Sequence, residues 1–245
     1  MFEGMEHIEF EHEGTPLRGY ATKPSGGTEP SPAVLVMHSA LGIAHNVNEP
    51  IARKLAERGY VAICTDMYGA HLAGASVGDA GRAYAENLAD PEKQRARTVA
   101  WFDRIAARPD VDDERIAAVG FCYGGMTVLE LARSGAGLRA AVSYHGILTT
   151  HAPAEPGTIP GHVVAYCGAG DPYAPVEAGF EQAKTNLYAA GYQAAYDAWL
   201  AANPGDTAGA DAAGQGGGQS SVAQNYHQTV EPFCQAAVRG YFSSF

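Results

Sequence analysis

The stretch Arg115-Ile-Ala-Ala-Val-Gly-Phe-Cys-Tyr-Gly-Gly-Met126 decides the fold. Arg115–Gly120 is a short apolar run with the composition of a strand. Tyr123–Arg133 spaces its apolar residues as a helix does. Between them Gly120, Gly124 and Gly125 bracket Cys122. A strand that turns sharply into a helix forces the middle residue into a strained conformation, and small neighbours let the backbones approach. The central side chain then projects above the C-terminal edge of the sheet, facing the positive end of the helix dipole. The pattern marks Cys122 as a candidate nucleophile, with the Tyr123 backbone N–H set to face a developing oxyanion. The plainer alternative is a buried cysteine at a tight turn, its glycines serving packing alone. Strand before, helix after and a second small loop at Ser39–Gly42 favour the nucleophile turn.

Outward from this turn the chain alternates strands and helices. Leu17–Thr22, Ala33–His38, Val61–Thr65, Arg139–His145 and His162–Cys167 read as strands. Asn48–Arg58 has helical apolar spacing and stops at Gly59. Pro91–Ala107 puts Val99, Phe102 and Ile105 on one helical face, with Pro91 suited to its first turn. Further helices are expected near Val176–Ala190 and over Tyr226–Phe242, and a weaker strand over Tyr192–Trp199. Short apolar strands separated by helices predict an α/β fold, a mostly parallel sheet covered on both faces. His71–Gly81 and Asn203–Ser221 read as irregular, and the second as a flexible loop too near the end to separate two domains. A single domain over 1–245 is expected.

Composition narrows the function classes. The 245 residues are 46% hydrophobic and 18% charged, enough for a sizeable core. A formal charge of −11 repels nucleic acid and anionic lipid, so neither is expected as a partner. No apolar run reaches spanning length, and Met1–Glu13 is acidic rather than leader-like. The cysteines Cys64, Cys122, Cys167 and Cys234 form no close pair, which argues against a zinc or dithiol site and for a reducing cytoplasm. With no ligand cluster or phosphate loop, no cofactor is expected, metal or nucleotide.

The runs Met37-His-Ser-Ala-Leu-Gly-Ile43, Gly59-Tyr-Val-Ala-Ile-Cys-Thr-Asp-Met-Tyr-Gly69, Gly120-Phe-Cys-Tyr-Gly-Gly125, Ser143-Tyr-His-Gly146 and Gly168-Ala-Gly-Asp-Pro172 resemble, in order, the dienelactone hydrolase family. That resemblance implies an α/β-hydrolase fold and a cysteine nucleophile, Cys122. It implies Asp171 as the acid of a catalytic triad, on the loop after the seventh strand. A carboxylate there fixes the tautomer of a histidine and stabilises its cation; Gly-Asp-Pro is equally a turn former. The resemblance also gives the Ala40 N–H as second oxyanion donor. It places Arg82 where family members hold a substrate carboxylate, although an exposed arginine is commonly only solvated.

Two positions depart from the family. Ser39 stands where the family carries a glutamate that engages the resting cysteine. The family's catalytic histidine follows the eighth strand, yet no histidine occurs here between His162 and His227. Alignment on Asn203-Pro204 puts Trp199 or Leu200 near that place. His227 is then the candidate base, relocated to the start of the last helix; its plain alternative is a solvent-exposed histidine. His38 and His145 each end a strand at the active edge, where hydrogen bonding to the loops is the readier role. The expected function is hydrolysis of a small-molecule ester or lactone through Cys122. The alternative is a catalytically degenerate family member acting as a binding or scaffold protein.

Overall fold

The computed structural model describes residues 2–24, 30–45, 47–155, 157–168, 170–175, 178, 182, 193 and 195–221. His227, the helix expected over Tyr226–Phe242 and most of that expected near Val176–Ala190 lie outside the described residues. The chain divides into two compact units, Met1–Tyr166 and Cys167–Phe245.

The first unit holds one seven-stranded sheet in the order β1-β2-β4-β3-β5-β6-β7. Its strands are β1 (Glu6–His12), β2 (Thr15–Ala21), β3 (Ser31–Met37), β4 (Val61–Thr65), β5 (Val111–Phe121), β6 (Ala140–Tyr144) and β7 (His162–Tyr166). The pairs β4-β3-β5-β6-β7 are all parallel, while β1 and β2 join antiparallel at one edge. The helices are α1 (Asn48–Ala56), α2 (Val77–Ala89), α3 (Pro91–Ala106) and α4 (Tyr123–Arg133), with a short 3-10 turn at Ala70–Leu72.

The central strands are apolar on both faces because both are covered. Leu35, Met37 and Ile63 pack with Trp101 and Ile105 of α3 and with Val128 and Leu131 of α4. Val36, Ala62 and Cys64 point the other way and pack with Ala52 of α1. Leu35, Val36, Met37 and Ile63 are fully buried, each contributing about 1.5–3 kcal/mol of transfer free energy. Burial also pushes the Cys64 thiol far above its usual range, so this cysteine acts as the small buried hydrophobe its strand context implies. None of the described cysteines, Cys64, Cys122 and Cys167, is in a disulfide.

Two elements of this unit differ from the sequence reading. The acidic N-terminus is strand β1, whose alternation buries Ile8 and sets Phe10 edge-on to Trp101 at 4.7 Å. Glu13 and Gly14, both at positive φ (48° and 72°), make the tight turn into β2. The Gly- and Ala-rich segment expected to be irregular contains the start of α2. Ser76 caps it by accepting a hydrogen bond from the Asp79 N–H at 3.2 Å.

The second unit departs further. Residues 195–202 are helical where a strand was expected, since Ala195, Ala198, Ala201 and Ala202 favour helix more strongly than the aromatic residues favour strand. The flexible loop expected at 203–221 is in large part helix α5 (Thr207–Ser221). Asp206 starts it, accepting from the Gly209 N–H at 3.0 Å, and alanines offset the helix cost of its glycines. Among the described residues no helix is long and apolar enough to cross a membrane.

Candidate active site

Cys122 links β5 to α4 with φ 58° and ψ −119°, a backbone conformation that costs a non-glycine residue about 1–3 kcal/mol. Flanking bonds enforce it. The Cys122 N–H donates to the Tyr144 carbonyl at 2.9 Å, and its own carbonyl accepts from the Met126 N–H at 3.1 Å. The glycines are required by close approach. A Cβ on Gly120 would lie 2.1 Å from the Gly124 carbonyl oxygen, and one on Gly124 would lie 2.2 Å from that of Met37. The turn is therefore wedged against the end of β3 by backbone alone.

That wedge brings the Ser39–Gly42 loop to the elbow, because β3 pairs with β5 through Met37 and Gly120. Tyr123, as the first residue of α4, has no earlier carbonyl in its helix to bond, so its N–H faces outward from the helix start. The Ala40 N–H belongs to the neighbouring loop, which is tied by the Gly42 N–H to the Ser39 carbonyl at 3.0 Å. Ser39, in place of the expected glutamate, turns its Oγ to accept from the Leu41 N–H at 3.3 Å.

A tyrosine wall that sequence reasoning missed surrounds this corner. Asp66 folds the loop after β4, its Oδ1 accepting from the N–H groups of Tyr68 (2.8 Å) and Gly69 (2.9 Å). This seats the Tyr68 ring between His38 and Tyr123, and the Tyr68 hydroxyl donates to the Ala40 carbonyl at 3.1 Å. Tyr84 of α2 meets Tyr123 edge-on at 5.5 Å. Burial raises the Tyr84 phenol above its usual range, and the charge of a Cys122 thiolate adds to the shift. Burial likewise raises Tyr68, with neighbouring Tyr123, Tyr84 and Cys122 adding to it. Both hydroxyls thus lie within electrostatic reach of the sulfur. The Tyr123 hydroxyl turns away, donating to Asn87 Oδ1 at 3.2 Å. Tyr68 and Asn87 also line a polar cavity of about 230 Å³ with Glu86, Lys93 and Arg97, whose lining does not include Cys122. The signal for the wall lay in the Asp-Met-Tyr run, but Tyr84 sat in a helix that composition had hidden.

Arg82 is exposed on α2 and paired with Asp79 one turn earlier. His38 is fully buried and both ring nitrogens are engaged. His145 is exposed at φ 44°, with its N–H donating to the Tyr166 carbonyl at 2.7 Å. In the second unit Asp171 Oδ1 accepts from the N–H groups of Tyr173 (2.8 Å) and Ala174 (3.2 Å), so it builds its own turn. His227 lies outside the described residues. Among the described residues no group of three or more His, Cys, Asp or Glu side chains is placed to hold a metal ion.

The family model that matches this chain is the dienelactone hydrolase family, over residues 17–215. The chain belongs to the dienelactone hydrolase family. It is 34% identical to the solved structure m3DLH, with 71% of this chain and 72% of that chain covered at a TM-score of 0.63. A dienelactone hydrolase-like promiscuous phosphotriesterase from metagenomic libraries is 32% identical over the same shares, at a TM-score of 0.60. A Yersinia pestis protein provisionally named a carboxymethylenebutenolidase is 30% identical over 143 residues, 56% of this chain and 51% of the relative. The chain spans about half the length of the curated relatives it matches. The sheet order, its parallel core and the elbow after β5 are those of an α/β-hydrolase fold.

Proposed function

We propose that this dienelactone hydrolase family member hydrolyses small carboxylic esters or lactones through Cys122. The observation that carries the reading is the strained cysteine at the head of α4, beside the Ala40 loop. An imidazole takes the Cys122 thiol proton as the sulfur attacks the carbonyl carbon, a C–S bond forms, and the carbonyl electron pair moves onto oxygen. The N–H groups of Tyr123 and Ala40 receive that oxyanion. Collapse breaks the ester C–O bond, and the departing oxygen takes a proton from an imidazolium. Water then attacks the thioester, the imidazole takes its proton, and the thiol returns as the acid leaves. In a lactone the departing oxygen stays tethered to the acyl group. Residue roles carried from the family resemblance give Asp171 as acid and His227 as base. The relatives named for dienelactone and carboxymethylenebutenolide hydrolysis support a lactone as substrate class. The small-molecule substrate needs no cofactor in this scheme.

Turnover of p-nitrophenyl acetate and of a dienelactone, with Cys122→Ala, Asp171→Asn and His227→Ala variants, tests the reading. Loss of turnover by orders of magnitude in all three is expected, since nucleophile, base and acid act as a unit. Full activity in His227→Ala refutes the relocated base. A second reading rests on Ser39, whose hydroxyl is spent on its own loop. A degenerate protein that binds rather than turns over shows a thioester on Cys122 by intact mass and no second cycle.

A further inference from the structure

We propose that His38 is the positioning residue for the oxyanion donor at Ala40. The proposal rests on the acyl-transfer role of Cys122 and extends it to a residue outside the reacting set. His38 Nδ1 lies 2.7 Å from the Ser39 carbonyl oxygen. Its Nε2 faces the Met67 N–H at 3.0 Å. An N–H can only donate and a carbonyl can only accept, so Nδ1 carries the proton and Nε2 the lone pair. The ring is fully buried against the edge of Tyr68 at 4.5 Å. It therefore works as a fixed two-ended strut between the loop after β4 and the loop after β3.

The consequence follows from peptide geometry. The Ser39 carbonyl and the Ala40 N–H are two ends of one planar trans peptide and point in opposite directions. Whatever holds the carbonyl sets the N–H. His38 holds it at 2.7 Å from one side and the Gly42 N–H holds it at 3.0 Å. The next peptide is held as well, since the Tyr68 hydroxyl donates to the Ala40 carbonyl at 3.1 Å. The donor is thus oriented before substrate arrives, and an oriented donor is worth far more than one that must reorganise. A neutral imidazole with its proton on Nδ1 is the state this task needs.

Two substitutions separate the ends of the strut. His38→Asn keeps a donor near the place of Nδ1, while His38→Gln keeps an acceptor near the place of Nε2. Acylation of Cys122 by p-nitrophenyl acetate makes an oxyanion; alkylation by iodoacetamide makes none. Expected is acylation within about threefold of wild type in His38→Asn, and a fall of about 10- to 100-fold in His38→Gln, with alkylation unchanged in both. Equal acylation in the two variants overturns the proposal. So does a fall in alkylation that matches the fall in acylation, because that is general damage to the elbow. A wild-type protein that alkylates and never acylates sinks the acyl-transfer reading and the proposal together, a result distinct from variants that acylate alike. Where the variants do not fold, long-range ¹H–¹⁵N correlation on the wild-type protein reads the tautomer directly. The proton on Nδ1 is expected, and a proton on Nε2 overturns the strut.

Discussion

Replacing Gly124 by alanine tests how far the active corner depends on backbone contact. The added Cβ would sit 2.2 Å from the Met37 carbonyl oxygen, 2.7 Å from its carbon and 2.8 Å from the His38 carbonyl oxygen. These are main-chain atoms of the end of β3 and of the residue after it, so no side chain can swing aside. Reaching an ordinary contact of about 3.5 Å moves the first turn of α4 by roughly 1 Å. Alanine favours helix over glycine by about 1 kcal/mol, whereas overpacking costs about 1–3 kcal/mol, so the steric cost wins by a small margin. For a chain of this size a net cost of up to about 2 kcal/mol lowers Tm by at most about 8 °C. On the acyl-transfer role proposed for Cys122, the effect on rate is larger, because a displacement of about 1 Å between nucleophile and oxyanion donor costs on the order of 100-fold. The assay is stopped-flow acylation by p-nitrophenyl acetate beside thermal unfolding. Gly81→Ala on α2 is the control: its Cβ meets nothing within 4 Å, so it should leave the rate alone and gain stability. A Gly124→Ala protein with wild-type rate and Tm refutes the wedge.

Two further outcomes follow from the same structure. Cys122→Gly should be more stable than Cys122→Ala by about 1 kcal/mol, since glycine relieves the cost of φ 58° while losing some chain entropy; equal denaturation midpoints would count against strain at the elbow. Hydrogen bonds from Arg108 hold the Glu6 and Asp110 carboxyls below their usual range, so their contribution is present above about pH 4 and fades as pH falls through the folded values; Arg108→Gln should flatten that acid limb in urea titrations, and an unchanged limb would exclude the pair as its source.

The parts of the fold legible in sequence were those whose local chemistry and tertiary role agree. Val61–Thr65 and Tyr123–Arg133 fall where their patterns place them, because an apolar strand and a helix behind a glycine turn have no competing use for those residues. β1 was hidden because its outward positions are glutamate and histidine, so charge masked the alternation of Ile8 and Phe10. α2 was hidden by its glycines; a single capping serine and packing of Ala80 and Ala83 outweigh them. At the site the sequence yielded the strained turn that carries Cys122 and the loop beside it. It did not yield Tyr68 and Tyr84, which meet the Tyr123 ring from the loop after β4 and from α2, distant in sequence. Nor could it assign His38, whose role depends on which atoms face its two nitrogens.

The glycines of the elbow also bear on how such a site can change over evolutionary time. Gly120, Gly124, Gly125 and Gly146 meet mainly main-chain atoms of β3, α4 and the loop after β6. A seat defined by main chain is indifferent to the side chains around it. The exposed face of α2, which presents Arg82 and Asp79 to solvent, can therefore drift freely without disturbing the sulfur. Tyr84, from the same helix, is free to vary in another sense: its replacement would reshape the wall against Tyr123 while the cysteine stays in register. Selection for a new substrate would then act on the walls and leave the sulfur where the backbone holds it.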